Sequence, residues 1–146
     1  MLVSRSQSGV EVKNANDTDN SVALDIDTVV VPKPLARLAR KIGIENLWLY
    51  VLAELSRGDS YPYELAKAIE RDFGVKPGKV LPYVVLSKLE EEGFVESYNL
   101  ERRRYYRITE QGRRLLKEGV SYIRELADKL DSYLDARAPT SRPSSP

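Results

Sequence analysis

At Gly93 the apolar pattern of this chain changes its period. Before it, residues 81–92 carry Val85, Leu86 and Leu89 at helical spacing, leaving Tyr83, Val84, Ser87 and Lys88 on the opposite side. After it, Phe94, Val95, Glu96, Ser97 and Tyr98 alternate, and Arg104, Tyr105, Tyr106, Arg107 and Ile108 repeat the alternation as a hairpin partner. A helix closed by glycine and followed at once by a lone hairpin restricts the fold to small α+β arrangements. The hairpin tip, residues 99–103, contains no glycine, so a longer, mobile loop is expected there rather than a tight two-residue turn.

Upstream of this boundary, Pro62 sits just inside a segment that turns Tyr63, Leu65, Ala66 and Ile69 toward a core until Gly74 stops it. Lys76-Pro77-Gly78-Lys79 then leads to a helix opening at Leu81 or Pro82. Pro82 has to lie in its first turn, because farther in it would break a backbone hydrogen bond. Helix, turn, helix and hairpin in this order describe a winged helix-turn-helix, mostly α with a small β-hairpin wing. In that arrangement the second helix enters a DNA major groove and the wing reaches phosphates.

Two further helices precede this unit. Pro34 opens one that carries Leu35, Leu38 and Ile42 on one face and Arg37, Arg40 and Lys41 on the other. The next, residues 44–57, holds Leu47, Trp48, Leu49, Tyr50, Val51 and Leu52 in succession and has almost no polar face. One side of such a helix packs on its own core, and the other is expected to meet a partner subunit. Residues 4–21 are too polar to offset chain ordering and are expected to be disordered. Leu24 and Ile26 alternate with Asp25 and Asp27, a strand-like pattern compatible with a short arm strand.

After the hairpin, Thr109 is placed as a helix N-cap with Glu110 in the first turn. A long helix follows, to about residue 136, and contains a coiled-coil seam. Leu116, Gly119, Ile123, Leu126, Leu130 and Tyr133 are spaced 3, 4, 3, 4, 3. Val120, Ala127 and Leu134 add a second stripe. Burial against a second copy is the economical use of so broad a face; folding back onto the chain's own domain is the alternative. The division is therefore an arm at 1–33, a winged helix-turn-helix at 34–108, a dimerisation helix at 109–136 and a Pro/Ser-rich tail at 137–146.

Composition removes most enzyme classes. The 146 residues include no cysteine and no histidine, so disulfides, thiolate nucleophiles, imidazole bases and nearly every zinc site are ruled out. No cofactor is expected. No apolar run approaches the roughly 20 residues of a membrane-spanning helix, and the first residues do not form a secretory leader, so a cytoplasmic location is expected. The formal net charge of +1 conceals a segregation. Arg102, Arg103, Arg104, Arg107, Arg113, Arg114 and Lys117 face only Glu101 and Glu110, while the first 31 residues are acidic.

These charges give the candidate contacts. Arg102, Arg103 and Arg104 at the wing suit a polyanion, and each phosphate neutralised releases counterions. Arg104 shares a side of its strand with Tyr106 and Ile108, the expected packing pair. Lys79, Tyr83, Ser87 and Lys88 are the outward set of the recognition helix. They can bind phosphate and sugar, but the Arg, Asn and Gln that read base edges are missing. Glu90, Glu91 and Glu92 would repel DNA and are expected to point away from it or lie beyond the groove. For the dimer, Leu116, Ile123, Leu126, Leu130 and Tyr133 form the expected contact surface, together with Trp48.

Four stretches within residues 44–134 resemble the PadR family of transcriptional regulators. Tyr61-Pro62-Tyr63-Glu64-Leu65 is similar to the family's His-Gly-Tyr-Glu-Leu, and LSKLEEEGFV from Leu86 to Val95 to its Leu-x-x-Leu-Glu-x-x-Gly-Leu-Val. Tyr105 to Gly112 matches its Tyr-Tyr-x-Ile-Thr-x-x-Gly, and the long last helix is the fourth element. The resemblance places Tyr83 on the family's backbone-contacting tyrosine, although Pro82 precedes it and Val84 follows where the family has Pro after Tyr. It implies a homodimeric repressor on a palindromic operator of double-stranded DNA, in some relatives released by a small aromatic effector. Trp48 and Tyr50 could line such a pocket or simply pack. A winged-helix module that binds protein instead of DNA is the competing reading.

Overall fold

The computed structural model describes residues 30–135; the expected disordered stretch, most of the arm strand and the tail lie outside them. Helix α1 spans Lys33–Lys41 with Pro34 in its first turn, followed by a short 3-10 turn at Ile44–Asn46 and α2 at Leu47–Leu55. Then come α3 at Pro62–Phe73, α4 at Leu81–Glu91, the antiparallel strands β1 at Val95–Leu100 and β2 at Arg103–Ile108, and α5 at Glu110–Leu134. No helix among the described residues is long and apolar enough to cross a membrane.

The core lies where α2, α3, α4 and the hairpin converge. Val51, Leu52, Leu55, Leu65, Ile69, Val75, Leu86 and Val95 are buried, with Tyr106 and Ile108 closing it from β2. Tyr106 and Ile108 are thus the packing pair that the alternation indicates. Pro82 is fully buried in the first turn of α4. Its missing N–H costs nothing there, because the first turn has no intrahelical acceptor for it.

The hairpin tip departs from the sequence expectation. Pairing continues through Asn99↔Arg104 to Leu100↔Arg103, leaving only Glu101 and Arg102 as the turn. Both occupy the left-handed region, with φ of 48° and 69°. Positive φ at both central residues is what a type I′ turn requires, and its twist matches that of the flanking strands. The conformation costs each side chain about 1 kcal/mol, and the pairing of the six-residue strands offsets it. The expected loop is therefore a tight turn that carries Arg102 at its apex.

One residue joins hairpin, α4 and α5. Thr109 accepts a hydrogen bond from the Gly112 amide at 3.0 Å, the expected N-cap, and its hydroxyl donates to the Gly93 carbonyl at 2.7 Å. Gly112 is buried in the first turn of α5, where a Cβ would stand 2.2 Å from the Phe94 carbonyl oxygen and 2.8 Å from Ile108 Cγ1. Only glycine allows the helix to start this close to the hairpin.

Helix α5 divides into two halves. Leu115 and Leu116 are half-buried against the chain's own core. A Cβ on Gly119 would meet Leu49 Cδ2 at 2.9 Å and Trp48 at 3.0 Å, so α5 rests directly on α2 there. From residue 121 to residue 135 every position is exposed. Ile123, Leu126, Leu130 and Tyr133 are exposed and lie outside the core cluster, and Tyr133 is 83% exposed. The 3, 4, 3, 4, 3 seam thus starts on the chain's own domain and continues on a free rod about 20 Å long.

Candidate nucleic-acid interface

The site begins at Ser60, just before α3. Its amide donates to the Tyr106 carbonyl at 3.2 Å and its carbonyl accepts from the Tyr106 amide at 2.7 Å. This bridge fixes the wing beside the start of α3, while the core contacts of Leu86 and Leu89 turn the other face of α4 outward. Between them lies an open concavity of about 680 Å³. Tyr61, Pro62 and Tyr63 line it from α3, Tyr83, Ser87 and Glu90 from α4, and Arg102 to Arg104 with Tyr106 from the wing.

Each predicted contact residue can now be placed. Tyr83, Ser87 and Lys88 are exposed on the outer face of α4, as the helical spacing requires. Lys79 is exposed too, but it lies in the turn leading into α4 rather than on the helix. Arg102 stands at the wing apex, and Arg103 lies over the Tyr61 ring, 4.6 Å from its centroid. Arg104 is already engaged. Its Nε donates to Ser97 Oγ at 3.1 Å, its Nη2 lies 3.7 Å from Glu90, and the guanidinium sits 5.9 Å from the Tyr106 centroid. Of the predicted contact cations, Lys79, Lys88, Arg102 and Arg103 have no ion-pair partner among the described residues.

Glu90 corrects the expectation that all three glutamates turn away from the site. It faces the concavity and accepts a hydrogen bond from Ser97 Oγ at 2.7 Å. Arg104 opposes its charge, so this pair cross-links α4 to the wing. Glu91 and Glu92 are exposed at the helix end. Tyr63 corrects a second expectation: it is exposed and lines the concavity instead of facing the core, which Leu65 and Ile69 fill from the other side of α3. Tyr61 and Glu90 line the concavity too, and sequence reasoning did not single them out as contacts. For the tyrosines the available signal was the YPYEL stretch; for Glu90 there was none.

The back of the wing is fastened by a second network. Tyr98 donates to Asp59 Oδ2 at 2.6 Å, and Arg107 lies 3.4 Å from Asp59 and 3.5 Å from Glu96. The hydrogen bond to Asp59 pushes the Tyr98 phenol above its ordinary pKa, and burial does the same for Tyr106. Both phenols therefore stay neutral, Tyr98 as the donor to Asp59. Tyr98 stacks on Tyr105 at 5.7 Å, and Tyr105 meets Tyr61 edge-on at 5.3 Å. The wing is held on both faces, which fixes where its cations stand relative to α4.

A two-helix unit with its second helix turned outward, followed by a clamped hairpin carrying free cations, defines a winged helix-turn-helix protein. The Transcriptional regulator PadR-like family model matches residues 51–118. A transcriptional regulator from Clostridium thermocellum is 33% identical, with 60% of this chain and 90% of that one covered and a TM-score of 0.53. A PadR family regulator from Eggerthella lenta is 27% identical over 70% of this chain and 89% of its own, with a TM-score of 0.56. A PadR family regulator from Clostridium difficile shares the fold at 24% identity, covering 60% and 97% of the two chains with a TM-score of 0.52. No curated protein matches the chain. The chain belongs to the PadR family of transcriptional regulators.

Proposed function

We propose that this chain binds double-stranded DNA as a homodimer and represses transcription by occupying an operator with two related half-sites. The observation that carries the reading is the pair of wing cations without carboxylate partners, Arg102 and Arg103, lining one concavity with Tyr83 and Ser87 of α4, while Lys79 and Lys88 are exposed before and along the same helix. Phosphates of both groove walls would meet the cations while α4 lies between them. The exposed half of α5 supplies the second element: Ile123, Leu126, Leu130 and Tyr133 are available to a symmetry-related copy, with Trp48 behind them at the base of the rod.

An aromatic effector would act at that base. Trp48 lies between the core and Gly119, so a molecule displacing its ring would tilt α5 and change the spacing of the two α4 helices. Trp48 is the only tryptophan, and its fluorescence reports directly on such an event. An unchanged emission across a panel of aromatic and cationic aromatic compounds would remove the effector from the reading.

The functional test is selection of bound duplexes from random DNA by the full chain, followed by affinity measurements over a range of salt and sedimentation of the complex. The expected result is a steep loss of affinity with salt and two chains per site. Salt-insensitive or absent duplex binding would favour a protein-binding role for the winged helix.

A further inference from the structure

The outer face of α4 raises a question that phosphate contacts leave open: how a groove-facing helix without Arg, Asn or Gln on that face could select a sequence. From residue 80 to residue 91 the exposed positions are Val80, Tyr83, Val84, Ser87, Lys88 and Glu91. Val80 is 70% exposed and Val84 43% exposed, while Val85, Leu86 and Leu89 take the core side. Two β-branched apolar side chains are therefore presented one helical turn apart at the end of the helix that enters first.

The surroundings identify what covers them. Lys79 precedes the pair, Lys88 follows one turn later, and the adjacent Tyr83 and Ser87 line the concavity whose other wall carries Arg102 to Arg104. A small apolar patch with a cationic rim does not match another protein's apolar surface. It matches a groove with phosphates at its walls and an apolar group on its floor. In the major groove of DNA that group is the C5-methyl of thymine.

Resting on the DNA-binding reading above, we propose that Val80 and Val84 determine sequence preference by contacting thymine methyl groups in the major groove. Four residues of helix advance about 6 Å, close to two base steps of about 3.4 Å each. Each half-site should then contain two methyl-sensitive thymines about two steps apart.

Deoxyuridine in place of single thymines removes the methyl and keeps base pairing. In a duplex selected by the full chain, two positions per half-site should lose about fourfold in affinity each, the worth of one buried methyl. Val84→Ala should abolish the sensitivity at one of them and Val80→Ala at the other, both being surface changes that leave the core intact. Lys88→Ala should weaken every duplex while leaving uracil sensitivity unchanged. Equal affinity for thymine and uracil duplexes, or full sensitivity retained in both valine variants, would overturn the methyl contacts while leaving salt-dependent binding in place. Failure to bind any duplex would overturn both readings.

Discussion

The outer face of α4 and the far half of α5 both lie bare of the chain's own core, and what borders them differs. On α4 two valines and a tyrosine are exposed together with Lys79 and Lys88, and a solvent-exposed wing tied to α4 through Arg104 and Glu90 carries the arginines opposite Tyr83. On the far half of α5 the exposed apolar side chains recur every three or four residues, and the charges on the other faces, Arg124 and Lys129 against Glu125, Asp128 and Asp131, are mixed with only one carboxylate in excess. Small apolar area with concentrated charge suits a polyanion; continuous apolar area with balanced charge suits a second copy. One chain thus carries two surfaces that answer to different forces, and salt should separate them.

The largest effect is expected on α5. Ile123→Asp or Leu126→Asp places a charge in the seam twice per dimer and should raise the dimer dissociation constant on the order of a hundredfold or more. Sedimentation would show folded monomers, because both side chains are exposed and lie outside the core cluster; an unchanged dimer would remove α5 from the interface.

The joint between the two regions comes next. Gly112→Ala forces a Cβ toward the Phe94 carbonyl, 2.2 Å away, and should cost about 2–3 kcal/mol in thermal or chemical unfolding. Retained stability would mean that α5 shifts freely on the hairpin.

A smaller effect arises in the body linking the two surfaces. Burial, reinforced by the hydrogen bond that the protonated Glu54 carboxyl donates to the neighbouring Asp72 carboxylate, raises Glu54 to about 7 from its ordinary 4.5. The folded chain then holds a proton that the unfolded chain releases, so stability should fall as pH rises from 4.5 to about 7 and level off above. Asp72 shifts downward through Glu54 and Arg71 and acts only in more acid solution, in the opposite sense. Glu54→Gln should flatten melting temperature between about pH 5 and about pH 7; an unchanged slope would assign it elsewhere. The smallest expected change is at the wing apex, where Glu101→Asn suits the left-handed backbone and should add about 0.5–1 kcal/mol, read as a slightly higher melting temperature.

Much of this architecture was legible in the sequence, because periodicity and caps report local structure. The period change at Gly93, Pro82 in a first turn, Thr109 as N-cap, and Tyr106 with Ile108 facing inward all follow from spacing. The wing tip did not, since Glu101 and Arg102 have no intrinsic preference for positive φ and adopt it only because the strands pair to the end. Glu90 was equally hidden: a glutamate in an acidic run looks repulsive until Ser97 and Arg104 are found across from it. The seam of α5 is uniform in sequence, yet Leu116 and Gly119 rest on their own domain while Leu130 and Tyr133 rest on nothing. Periodicity shows that a face is apolar, but only the position of α2 shows how much of it is already used.

The most direct test of the account is the slope of log affinity against log salt for a selected duplex, compared between the natural chain and Arg102→Ala with Arg103→Ala. Loss of two phosphate contacts per subunit should weaken binding to every sequence and reduce the slope by up to about 0.9 per contact, with the dimer intact in sedimentation. An unchanged affinity and an unchanged slope in a folded dimer would contradict the placement of DNA against α4 and the wing.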